Sequence, residues 1–185
     1  MCGKSHLRLG EYLVEHYMQH VSGHCIRAFL IGCIQPDRNP ATYFKGSVRH
    51  QWLRGHNYLN AKRFMERICH RLEHRKKLTV VDYYTLGKLI HYIADAFTQA
   101  HNSHFTECLT QHRQYERELQ RYFLNYLKQE PNVRIRCAAN LMETIRQYHR
   151  EYSRQEPLID HDAAYALSAS CSVLSFLFTQ SPMEC

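Results

Sequence analysis

His91 and Asp95 stand four residues apart in the stretch HYIADAFTQAHN, and His101 follows six residues after Asp95. On an α-helix, positions i and i+4 share a face about one turn apart. An imidazole and a carboxylate placed that way reach a single cation. On a straight helix His101 falls about 240° round from Asp95, so it belongs at the helix end, beside a second metal rather than the first. His112 and Glu116 repeat the four-residue spacing downstream. Imidazole plus carboxylate is a competent half-site for zinc. Two such pairs on adjacent helices, with His101 at the turn between them, form a cup for more than one metal, the logic of metal sites in helical bundles. Two further stretches offer donors. Asp37, in Gln35-Pro36-Asp37, either bridges metals and acts on water or simply forms a turn after proline. His56, in Arg54-Gly55-His56-Asn57, is a loop ligand or a helix-start residue, and His50 has the same chemistry.

These residues need a scaffold, and the composition points to helices. The chain has 185 residues, enough for one domain around one core. Hydrophobic residues make up 44%, and the seven glycines and five prolines are too few for the turns of a sheet-rich fold. The reading is six or seven helices in an all-α, single-domain bundle. The first starts after Ser5 as N-cap and runs to about Val21, with Leu9, Leu13 and Tyr17 at four-residue steps. The second covers roughly His24 to Ile34, and QPDRNPATYFKGS, from Gln35 to Ser47, is the clearest loop. A basic helix spans about Tyr58 to Lys76. Thr79, with Asp82 three residues on, has the pattern of a capping box and opens a helix to about His101. Another helix covers about Phe105 to Lys128, Pro131 starts the next, and the last spans about Asp160 to Phe178.

The net charge of +7 attracts anions, whether nucleic acid, phosphoester head groups or an acidic membrane face. Eight cysteines form no C-x-x-C pair and read as reduced, mostly buried thiols. The start of the chain, MCGKSHLRLGEY, lacks the apolar run of a signal peptide, so a cytoplasmic protein without a transmembrane segment is expected. Fourteen histidines are the outlier. His16, His20 and His24 share a four-residue spacing, as do His70 and His74, and both groups read as surface; His104 lies near the constellation.

The motifs together resemble the bacterial zinc-dependent phospholipase C family, a superfamily that also holds zinc-dependent single-strand nucleases. The resemblance rests on His91-Tyr92-Ile93-Ala94-Asp95 continuing to His101-Asn102, and on His112-Arg113-Gln114-Tyr115-Glu116. The stretches Gly32 to Asp37 and Lys45 to Asn57 also look like small members of the family. The resemblance covers roughly residues 5–120. It implies an all-helical fold holding two or three zinc ions in a cleft. One zinc would take Asp37, a loop histidine (His56 by its Gly-His-Asn context), His91 and Asp95. A second would take His101, His112 and Glu116. A third would take His6, with Asp95 bridging to it. Secreted members complete that third site with the amine of an N-terminal tryptophan. This chain begins Met1-Cys2, and removal of Met1 would put the amine or thiolate of Cys2 four residues before His6. Gln99-Ala100 stand where the family often has proline before the histidine.

The chemistry implied is metal-assisted phosphodiester hydrolysis, with Asp37 to orient or deprotonate the attacking water. A phospholipid head group or a soluble phosphodiester is the expected substrate, with peripheral membrane contact. Tyr43, Phe44 and Phe105 are candidates to pack against a head group. A nuclease on the same scaffold is the rival enzyme, served by the basic run Arg63 to Lys77, although nothing in the sequence locates the stacked aromatics a nuclease needs. A non-catalytic helical protein that binds zinc or a partner is the rival from another class.

Overall fold

Thr79 shows how the chain positions its central helix. Its hydroxyl accepts a hydrogen bond from the Asp82 amide at 3.3 Å, and Asp82 reaches back to the Thr79 amide at 3.0 Å. This capping box satisfies donors that a helix start leaves open. The helix it opens, Val80–Ala96, is buried almost continuously from Leu86 onward. Apart from Lys88, His91 and Asp95 its sequence there is apolar or aromatic all round, as a helix surrounded by others requires.

The computed structural model describes residues 1–39, 58–101 and 109–179. Seven α-helices occur among them: α1 (Gly3–Tyr17), α2 (Gly23–Arg38), α3 (Tyr58–Glu73), α4 (Val80–Ala96), α5 (Leu109–Lys128), α6 (Leu141–Tyr152) and α7 (Ile159–Thr179). A single 3-10 turn, Gln99–His101, follows α4. The described chain is all-α. α4 lies at the centre and touches α1, α2, α3 and α7, while α5 packs on α1 and α7, and α6 on α3 and α7. Leu9, Leu13, Phe29, Met65, Leu86, Phe97, Phe123, Ile145 and Leu167 meet in one apolar core. No described helix is long and apolar enough to cross a membrane. Cys33, Cys69 and Cys171 are buried, Cys137 is exposed, and no disulfide forms among the described residues.

α2 and α4 cross with their backbones in close contact. A methyl group on Gly32 would collide with the Tyr84 carbonyl and come within 3.1 Å of the Gly87 Cα; one on Gly87 would collide with the Phe29 carbonyl. Only glycine lets the two backbones meet this closely. Asp37 lies five residues beyond Gly32, and His91 four beyond Gly87. The crossing therefore delivers both side chains to the same end of the helix pair.

Several boundaries differ from the sequence expectation. α1 is capped by Cys2 rather than Ser5, whose side chain is buried one turn further in. It stops at Tyr17, with the Met18 amide closing on the Val14 carbonyl at 3.0 Å. α2 does not yield to the loop at Gln35. It runs through Pro36 to Arg38, and the Asn39 amide closes it on Gln35 and Pro36 carbonyls. Asp37 is thus a helical residue; the rest of the expected loop lies outside the described residues. α3 ends at Glu73, and α4 at Ala96, five residues short of His101. Pro131 opens no helix. The chain leaves α5 through Glu130, at φ 46°, and runs irregularly until Asn140 caps α6 by accepting from the Glu143 amide at 2.8 Å. That irregular stretch is held by side chains: the Arg136 amide donates to Ser172 Oγ at 3.0 Å and the Ala138 amide to Thr144 Oγ1 at 3.0 Å.

Candidate metal centre

His6 on α1, Asp37 on α2, and His91 and Asp95 on α4 converge on one point. A ligand-type atom from each lies within 4.8 Å of every other. His6, His91 and Asp95 are buried, and Asp37 is 22% exposed, so it borders solvent. The four-residue spacing of His91 and Asp95 puts His91 Nε2 3.2 Å from Asp95 Oδ2. The other oxygen of the same carboxylate, Oδ1, lies 3.2 Å from His6 Nε2. Asp95 so presents one oxygen to each imidazole, the arrangement a bridging carboxylate needs. Asp37 faces the same pair, 3.5 Å from His91 Nε2 and 4.0 Å from His6 Nε2. The two imidazole rings stack with centroids 3.8 Å apart.

Proton positions suit this group to a cation. His91 Nδ1 lies 2.9 Å from the Cys33 carbonyl. A carbonyl only accepts, so Nδ1 carries the hydrogen, and in the neutral ring Nε2 is a lone pair aimed at two carboxylates. A backbone carbonyl behind one ring nitrogen is the usual orienting partner of a metal-bound histidine. Burial, with the neighbouring His91 adding to it, pushes the His6 imidazole down to about 4, so His6 is neutral at physiological pH. Its Nδ1 is buried with no hydrogen-bond partner among the described residues. Lone pairs and carboxylates crowded together in a dry pocket repel unless positive charge sits among them.

Residue 1 supplies some of that charge. The Met1 nitrogen lies 2.6 Å from Asp95 Oδ1 and 3.8 Å from Glu116 Oε1, and the Met1 carbonyl lies 3.2 Å from His6 Nε2. Burial works against the ammonium, but Asp95, Glu116 and Asp37 outweigh it and raise its pKa above the ordinary 8.0. With Met1 in place, Cys2 takes other partners. Its thiol points to Gln120 Oε1 at 3.0 Å, and residue 1 rather than residue 2 meets His6 and Asp95.

The structure thus brings together His6, Asp37, His91 and Asp95, and Glu116 approaches them from α5 through the Met1 nitrogen. His101 belongs to the 3-10 turn and His112 to α5, while their side chains lie outside the described residues. His56, His50, His104, Tyr43, Phe44 and Phe105 also lie outside them. His16 and His74 each bond the carbonyl four residues back on their own helix, as surface histidines do. Sequence reasoning missed the Met1 nitrogen and carbonyl and the Cys33 carbonyl, because backbone groups leave no residue-type signature.

A model of the family described as zinc-dependent phospholipase C matches residues 5–159. The chain belongs to the zinc-dependent phospholipase C family. The match carries the zinc-dependent phospholipase C assignment past Glu116, through α6 to the first residue of α7. Searches of curated proteins and of solved structures returned no match.

Proposed function

We propose that this chain is a single-domain hydrolase that cleaves phosphodiesters at a zinc centre, in the manner of phospholipase C. One observation carries the reading: His6, Asp37, His91 and Asp95 each bring a ligand-type atom within 4.8 Å of the others, with His91 Nδ1 on the Cys33 carbonyl and its Nε2 facing both carboxylates. His6, Asp37, His91 and Asp95 would hold zinc, joined by His56. His101, His112 and Glu116 would hold a further ion, for two or three in all. Zinc, when bound, supplies a water of lowered pKa and neutralises charge on the phosphoryl oxygens. Asp37 does the work that needs both solvent and the centre. Its partial exposure lets it orient a water and accept its proton, while buried Asp95 stays an acceptor for both histidines.

The family points to a phospholipid head group or a related phosphodiester as substrate, with peripheral membrane contact. Single-stranded nucleic acid is the second reading, favoured by one feature: Arg63, Arg67 and His70, with Glu66 among them, line a groove of about 610 Å³ on the surface. Protein stripped and reloaded with zinc should be assayed on phosphatidylcholine vesicles, a soluble aryl phosphodiester and a single-stranded oligonucleotide, alongside Asp37→Asn. Zinc-dependent turnover that Asp37→Asn loses by at least about 100-fold, the scale of general-base catalysis, supports the proposal. The preferred substrate decides between a phospholipase-type phosphodiesterase and a nuclease. Bound zinc with no turnover on any of the three would overturn catalysis and favour a zinc-binding interaction protein.

A further inference from the structure

Asp162, in the first turn of α7, is a buried carboxylate outside the metal centre. Three donors from three other elements converge on it. Oδ2 accepts from the Gln99 amide at 3.0 Å and from the Tyr115 hydroxyl. Oδ1 accepts from the Tyr152 hydroxyl at 2.6 Å. The Gln99 amide also lies 3.1 Å from the Tyr115 hydroxyl, closing a triangle. No cationic side chain pairs with Asp162 among the described residues. Burying such a carboxylate is costly, and an apolar residue would fill the space at less expense.

The attachment points are specific. Gln99 begins the 3-10 turn that ends at His101. Tyr115 is the neighbour of Glu116 and lies three residues after His112 on α5. One oxygen atom therefore binds the segment that follows α4 to the helix that carries the downstream pair. Tyr152 anchors the other oxygen to α6, away from both.

Resting on the reading of His101, His112 and Glu116 as ligands, we propose that Asp162 is a positioning residue that sets the register of that half-site. It touches neither substrate nor metal. It holds the 3-10 turn and α5 at one separation, and so fixes the spacing of the two segments that carry His101 and the His112–Glu116 pair. The upstream group of His6, Asp37, His91 and Asp95 is built by α1, α2 and α4 and does not depend on it.

The test is zinc content and affinity, read by equilibrium with a competing chelator, on wild type, Asp162→Ala, Asp162→Asn, Tyr115→Phe and Tyr152→Phe. Asn keeps one oxygen for Gln99 and Tyr115 and offers its amide to Tyr152, whose hydroxyl can rotate to accept. The expected result is that Asp162→Ala and Tyr115→Phe weaken the more weakly held zinc by about 10- to 100-fold, the usual effect of losing a ligand's orienting partner. The tightest zinc is unchanged, Asp162→Asn is restored close to wild type, and Tyr152→Phe has the smaller effect. Wild type holding more than one zinc, with Tyr115→Phe and Asp162→Ala holding them equally well, overturns the inference alone. Wild type holding one zinc or none overturns the two-site reading itself and the inference with it. Should Asp162→Ala fail to fold, Tyr115→Phe carries the same comparison, since it removes one hydroxyl and leaves the ring in place.

Discussion

Asp95 is the residue on which the centre turns, because its two oxygens serve different histidines. Replacing it with Asn removes the carboxylate charge and turns one of those oxygens into an NH2 donor, which repels a cation and can occupy a ring nitrogen's lone pair in its place. Asp95→Asn should lose bound zinc and reduce any phosphodiesterase activity by more than about 100-fold; elemental analysis and a rate assay on the same preparation check both. A second histidine matters for a different reason. His149 stacks on Tyr58 with centroids 3.5 Å apart, and its Nε2 has no hydrogen-bond partner among the described residues. Burial holds its imidazole down to about 4, below the ordinary 6.5. Between those values the unfolded chain binds a proton that the folded chain refuses. The stability His149 contributes is therefore full above pH 6.5 and drains away as pH falls to about 4. His149→Phe keeps the stacked ring without the titration. Its melting temperature should vary less with pH across that window than wild type's does.

At the scale of elements, the α2–α4 crossing and the start of α4 make a useful contrast. A methyl group at Gly87 meets backbone, which cannot rotate aside. Gly87→Ala should cost about 1–3 kcal/mol and loosen zinc as well, since the helices that part are those carrying Asp37 and His91. Thr79→Ala removes the cap at the opposite end of α4, at about 1 kcal/mol, and should leave zinc affinity untouched. Melting curves with zinc titrations on the two variants separate structural damage from damage to the centre. Sequence patterns read these elements unevenly. The Thr79–Asp82 cap was legible because its chemistry is local. The persistence of α2 through Pro36 was not, because Pro and Asp signal a turn wherever tertiary packing does not overrule them. The irregular stretch before Asn140 is held by Ser172 and Thr144, partners no local pattern announces.

For the whole molecule, the centre ties α1, α2, α4 and α5 together, so ligand binding is linked to global stability. Zinc at about 100 times its dissociation constant adds about 2.7 kcal/mol, and stripping it with a chelator should lower the melting temperature and restore it on readdition. A melting temperature indifferent to chelation would mean that the four groups meet without holding an ion. The helical class and the pairing of His91 with Asp95 were readable from spacing, Asp37 was one of two readings of its Gln-Pro-Asp context, and His6 came from resemblance alone. The shared use of Asp95, the part played by the start of the chain, and the Asp162 junction depend on residues far apart in sequence and are visible only in three dimensions.

That separation bears on how the protein is made. The Met1 nitrogen and Asp95 are 94 residues apart, and α4 supplies only His91 and Asp95 of the converging groups. A nascent chain leaving the ribosome exposes His6 and Asp37 long before His91 and Asp95 complete the set. A centre built from three helices should take up zinc only once they have docked, so the rate of zinc uptake by refolding protein is expected to follow tertiary assembly rather than helix formation.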